Sequence, residues 1–233
     1  MTLDVVLLEL ILGIPLLMAL ILILLRGRGT RFAGWLAVGS AVVTLGSIFG
    51  LLPALYSGGE PTVAFSWIPT ANIQLRLHVD WLTLPFLVTE AGVTLSALIY
   101  SLNYHHADEH SGYFYALLLL FGVGMSGTTL ADDLFLFYVF WELMLIASCL
   151  LILVWGEGER RGAIALKYFI FTHVGSLMVL VGLLVLYDAT GSDSLVSLRA
   201  GGWTLEPAMV TTVLTLFFVG FSVKMAIFPV HLW

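Results

Sequence analysis

Seven apolar stretches, each long enough to cross a bilayer, constrain this chain more than anything else in it: 3–25, 32–56, 80–102, 112–131, 133–154, 162–187 and 208–230. About 20 residues at a rise of about 1.5 Å span a hydrocarbon core of about 30 Å. Lipid offers no partner to an open backbone N–H or C=O, so a spanning segment is either a helix or part of a closed barrel. The apolar and polar alternation over about ten residues that marks a barrel strand is missing from these stretches. The expected fold class is therefore all-α, a polytopic bundle of about seven transmembrane helices. Composition agrees, with 60% of residues hydrophobic and 10% charged, where soluble domains carry about a quarter charged. The first stretch follows Asp4 rather than a basic leader, and runs apolar to Arg26 with no small-residue cleavage pattern. It reads as a retained helix and not as a removable signal.

The net charge of −6 provides no basic surface for phosphates, so a nucleic-acid partner is not expected. The single cysteine, Cys149, lies in an apolar stretch and reads as packing. The run HHADEH at 105–110 has metal-ligand residue types without rigid spacing and reads as a solvated loop, so no metal site is expected. No phosphate-binding glycine loop, zinc helix or nucleophile elbow is present, so neither a cofactor nor a catalytic centre is expected in this chain.

If the stretches alternate direction, Arg26, Arg28, Arg31, Arg160, Arg161 and Lys167 fall on one side, and only Arg76 and Arg199 fall in loops of the other. The positive-inside rule then puts the N-terminus outside. Between the second and third stretches, Gly and Pro punctuation followed by the alternating run IQLRLHVD predicts a short outer hairpin near 58–80. The polar, Gly-rich loop 188–207 is expected to be ordered only through its neighbours. The organisation expected is one membrane domain over 1–233. Helices 1–3 and the hairpin lie in 1–111, and helices 4–7 in 112–233.

Ionisable groups deep in such helices cost at least a few kcal/mol, and they usually mark sites that bind, carry or relay ions. Glu142 lies about ten residues into DDLFLFYVFWELMLIASCLL, roughly 15 Å from its start. Lys224 lies in the last stretch, LTLFFVGFSVKMAIFPVHLW. A Glu and a Lys on separate helices at similar depth can satisfy one another. Each also sets the protonation of the other, which is the basis of a proton relay. His173 adds a group titrating near neutral pH, as a relay or as an interhelical contact. Lys167 reads as a snorkelling residue or a relay. Glu90 reads as a local hydrogen-bonding group or a peripheral proton path. Asp132 and Asp133 suit the head of the fifth helix as caps.

The runs LFLFYVFWELMLIASCLLI, ALKYFIFTHVGSL and GFSVKMAIFPVHLW together resemble the antiporter-like proton-pumping membrane subunits of respiratory complex I, most nearly chain M. Mrp-type antiporter and group 4 hydrogenase membrane subunits are relatives of that family. The resemblance implies that Glu142 and Lys224 are the family's helix 5 glutamate and helix 7 lysine and that helix 7 breaks near Pro229; His231 is grouped with Lys167 and Glu90 as a peripheral candidate. It further implies proton translocation within a redox-driven NADH:quinone-type complex, in a bacterial, archaeal or organellar inner membrane. Cation/proton exchange and a purely structural half-module are the alternatives. Such subunits have about fourteen helices in two inverted repeats, so the partners expected are other membrane subunits, including a chain that supplies helices 8–14.

Overall fold

The computed structural model describes residues 2–25, 30–68, 73–104, 111–231 and 233. Arg26, Arg28 and the HHADEH run at 105–110 lie outside the described residues. The order is α1 (Leu3–Leu24), α2 (Thr30–Gly50), α3 (Leu52–Tyr56), β1 (Thr62–Ile68), β2 (Ile73–His78), α4 (Thr83–Tyr104), α5 (Ser111–Leu130), α6 (Leu134–Trp155), α7 (Arg161–Thr190), α8 (Leu195–Ala200) and α9 (Pro207–Lys224). Among the described residues, seven helices are long and apolar enough to cross a membrane. The protein is an integral membrane protein built of helices. Several hydroxyls within the helices donate hydrogen bonds to carbonyls one turn back, as Thr89 to Pro85, Ser101 to Ala97 and Thr215 to Thr211, which spares those donors from facing lipid unpaired.

The chain divides into two compact units, 1–131 and 132–233. The boundary falls after α5, because that helix packs on α1, α2 and α4. In the first unit, Ala33, Ala37 and Ala41 recur every fourth residue on α2 and are all buried, in a core with Leu98, Ala116 and Leu119. Small side chains on one face let helices approach closely, which drives association where lipid removes the hydrophobic effect. The antiparallel hairpin pairs Val63 with Leu77 and Phe65 with Leu75, and its register shifts between Ser66 and Ile68. Val63 and Leu77 are buried, and Leu77 bridges to Ala131 at the end of α5. The hairpin is thereby fixed to the bundle it covers.

The second unit is built on α7, which packs against α6 and α9. Its core joins Leu134, Val179 and Leu183 to Phe137, Phe217 and Phe221. Glycines set the α7 to α9 approach. A Cβ on Gly220 would lie 2.6 Å from the Gly175 carbonyl oxygen and 2.5 Å from Val179 Cγ2, and one on Gly175 would lie 2.7 Å from Val223 Cβ.

At the head of α6 the two aspartates part company. Asp133 caps α6, its carboxylate accepting from the N–H groups of Phe135 and Leu136 at 2.8 and 2.9 Å. Asp132 serves α8 instead, accepting from the Val196 N–H at 2.7 Å and from the Ser194 hydroxyl. This corrects the expectation that both cap one helix. It also explains why the segment after α7 is ordered: α7 ends on a left-handed Gly191, and Asp132 holds the short helix that follows.

The last span also departs from expectation. Hydropathy puts it at 208–230 and the family resemblance implies a break near Pro229, but α9 ends at Lys224. Ala226 takes a positive φ of 53°. Its N–H reaches the Val223 carbonyl, and the Ile227 N–H reaches Ser222, the paired bonds of a Schellman stop. The Trp233 indole N–H, at 2.8 Å, adds a second donor to the Val223 carbonyl.

Gly220→Ala should cost about 1–3 kcal/mol, because the clash is partly with backbone. Gly46→Ala, with nothing near its Cβ position, should be neutral, and thermal unfolding in detergent compares the two. Burial, and after it the neighbouring Asp193, push the Asp133 carboxyl up from 3.8 to about 6, against the pull of the Leu136 N–H. A raised carboxyl favours the folded state while protonated. Its contribution is therefore full below about pH 3.8 and is lost as pH rises through about 6. Asp133→Asn, which keeps a cap, should flatten that part of the stability profile.

Candidate functional site: a carboxylate, an imidazole and an ammonium on three helices

The cap at Asp133 starts α6, and Glu142 follows eight residues after Leu134, about 12 Å along an axis of about 33 Å. Its carboxylate turns to α7. One oxygen, Oε2, lies 3.2 Å from His173 Nδ1, and the other accepts the proton of the Ser176 hydroxyl. His173 and Ser176 are three residues apart and so share a face of α7. The Tyr138 hydroxyl, one turn before Glu142, stands beside both the carboxylate and Ser176. The Glu142 side chain is 19% exposed.

His173 is held on its other side by Phe169, whose ring stacks on it at 5.4 Å and 7°. Towards the other end of α6, the Ser148 and Tyr168 hydroxyls meet at 2.8 Å, and the Cys149 thiol donates weakly to the Ala165 carbonyl at 3.6 Å. These bonds fix the rotation of α6 against α7, and with it the direction of Glu142.

Lys224 arrives from the third helix. As the last residue of α9 it sits at the carbonyl end, where the helix dipole favours a cation. Its ammonium lies 5.5 Å from the centroid of the Trp141 ring, within the range of a cation–π contact. Trp141 stacks on Phe137 and meets Phe221 of α9 edge-on at 5.4 Å. The residue next to Glu142 is thus the seat of Lys224. Glu142 is hydrogen-bonded to His173, whereas Lys224 rests on an aromatic face and interacts with the carboxylate through space.

The other candidates are placed elsewhere. Lys167 is exposed in the second turn of α7. His231 is exposed beyond the end of α9, its ring 5.6 Å from Phe228. Glu90 belongs to the first unit, where its Oε2 lies 3.3 Å from the Thr129 hydroxyl. Ser176, Tyr138 and Trp141 were not anticipated. The signal was available in their spacing, with Tyr138 one turn from Glu142 and Ser176 one turn from His173. Residues His173 to Glu142 can pass one proton. With Glu142 ionised, Nδ1–H donates to Oε2; with Glu142 protonated, its O–H can donate to Nδ1.

Residues 131–233 match the family described as NADH:quinone oxidoreductase/Mrp antiporter, TM, and residues 67–115 match that described as NADH-Ubiquinone oxidoreductase (complex I), chain 5 N-terminus. The NADH-quinone oxidoreductase subunit M of Rhodobacter capsulatus is 33% identical over 246 residues, covering 97% of this chain and 47% of that protein. The Mrp complex structure from Dietzia sp. DQ12-45-1b superposes with a TM-score of 0.85 at 26% identity, over 97% of this chain and 24% of that one. Respiratory complex I from Thermus thermophilus gives a TM-score of 0.80 at 25% identity, over 97% and 45%. The chain spans between about a quarter and about half of the length of the curated relatives it matches. Over these two stretches the chain is similar to the antiporter-like membrane subunits of NADH:quinone oxidoreductases and Mrp antiporters.

Proposed function

We propose that this chain is part of a proton-translocating membrane subunit of a redox-driven complex, and that Glu142, His173 and Lys224 carry the proton. The observation that carries the proposal is the arrangement on α6, α7 and α9. A carboxylate bonded to an imidazole stands next in sequence to the tryptophan that seats an ammonium. Ionisable groups so placed within spans are costly unless they face one another or water. Here they stabilise each other's charged forms by contact and at short range.

The cycle follows from those contacts. While Lys224 keeps its charge on the Trp141 ring, the field at Glu142 favours carboxylate, and the proton stays on His173. If Lys224 loses its proton, or swings its charge away, Glu142 is left buried with weaker compensation and takes the proton from Nδ1. Ser176 and Tyr138 hold the carboxylate in place while its charge changes. His173, with its side chain 38% exposed in this unit, is the member that exchanges with the surroundings. Lys167, Glu90 and His231 are assigned peripheral parts. The same proposal places the N-terminus outside an energy-transducing membrane. The other membrane subunits of a larger complex are its partners, with helices 8–14 supplied by further sequence or by another chain.

A second reading, cation/proton exchange, is favoured by the likeness to the Mrp complex, which has the higher TM-score of the two structures. Both readings use the same residues, and they differ in what drives the relay.

In vesicles containing the assembled complex, Glu142→Gln and Lys224→Ala should each lower proton translocation by about 100-fold, the loss typical of removing a positioned acid or base. Unchanged translocation in both would leave only a scaffold role. Sodium-dependent proton movement without an electron donor would select exchange over redox pumping. His173→Gln, which can still hydrogen-bond but cannot pass a proton between two ring nitrogens, should slow translocation by a similar factor.

A further inference from the structure

The first unit has a polar interior that the relay does not use. Glu90 on α4 sits among hydroxyls: Thr129 of α5 lies 3.3 Å from Oε2, and Ser126 of α5 stands beside the carboxyl group. The Thr129 hydroxyl has one proton to share between Glu90 Oε2 and the Met125 carbonyl, which lies 3.1 Å away, so it satisfies the carboxyl group only in part. Two further polar atoms, Glu90 Oε1 and Thr44 Oγ1, are buried without a hydrogen-bond partner among the described residues. Thr44 is 6% exposed.

Thr44 lines a cavity together with Pro15, Ala41, Thr94, Gly122 and Ser126. Its volume, about 20 Å³, exceeds the roughly 10–15 Å³ that one water needs. Three hydroxyls line it, from Thr44, Thr94 and Ser126. Pro15 lines it too, and because proline has no N–H the Ile11 carbonyl loses its helical donor. Such a space can give a water the two to four partners that hold it. Ser126 belongs both to the cavity wall and to the surroundings of Glu90, so it connects the two.

Among the described residues of the helices packed on α4, no charged side chain lies near Glu90. Of the helices packed on α4, α2 has only Arg31, about 20 Å along the axis from Thr44, and α5 has only Tyr113 and Tyr115, about 20 Å or more from Thr129. On α4 itself, Tyr100 is about 15 Å away. We propose that Glu90 is a neutral, proton-holding group, and that the Thr44, Thr94 and Ser126 cavity is a water site through which its proton exchanges. It is a second protonatable centre, built from residues of the first unit.

Infrared spectra of the full chain in lipid nanodiscs at neutral pH test this. A protonated-carboxyl stretch should be present, should be lost in Glu90→Gln, and should shift on transfer to deuterated water. Thr44→Val, which keeps side-chain shape but removes the unpartnered hydroxyl, should retain the band and slow its deuterium shift about tenfold, the factor one lost hydrogen bond is worth. A spectrum unchanged by Glu90→Gln overturns the proposal, as does a band that never shifts in deuterated water. Loss of the band on adding sodium at fixed pH also overturns it, and would mark the cavity as a cation site.

Discussion

A carboxylate in the middle of a hydrocarbon layer must be solvated by the protein itself, and in this chain α7 solvates Glu142. Ser176 gives it a proton donor, and His173 gives it a second donor that can become an acceptor. Both oxygens are thereby occupied, so the cost of burial is offset without locking the group into one charge state. Nearby structure supports that arrangement. The Asp133 cap, the Ser148 to Tyr168 contact and the stacked Phe169 set the translation and rotation of α6 and α7. The glycine contacts of Gly175 and Gly220 then bring α9 close enough for Lys224 to reach the ring beside Glu142.

The early end of α9 is the second element of the design. A helix that ran on would bury the Lys224 ammonium along its side. Instead the Schellman stop at Ala226 leaves Lys224 in the final turn, at the end of the helix where its dipole favours a cation. The Trp233 indole returns to the Val223 carbonyl, one residue before the lysine, while its ring packs edge-on against Tyr168 at 5.0 Å. The spacing from Val223 to Trp233 is therefore a structural requirement. It closes the chain over the helix end and ties that end to α7.

Much of this was legible in the residues. Hydropathy alone gives seven spans, because in lipid a backbone has so few alternatives. Alternation in IQLRLHVD places the second hairpin strand, and the depth of Glu142 and His173 within apolar runs singles them out as candidates for the proposed relay. What the sequence left open depends on side-chain direction. Nothing in spacing says that Glu142 turns to His173 rather than to Lys224, since that depends on the rotation of α6 fixed by contacts two turns away. Asp132 and Asp133 look alike in sequence, yet one caps its own helix and the other holds α8, because successive residues point to different sides. The stop in α9 was misplaced to Pro229 for a related reason. An alanine in the left-handed region has no sequence signature, whereas a proline does.

The central claim is that Glu142 and His173 share one proton across α6 and α7. Solid-state nitrogen-15 NMR of selectively labelled histidine, in the full chain in lipid and compared with Glu142→Gln, tests it most directly. The account predicts a His173 Nδ1 that is protonated and hydrogen-bonded in the parent chain and that changes its protonation or its tautomer when the carboxylate is removed. A His173 signal identical in the two proteins would contradict it.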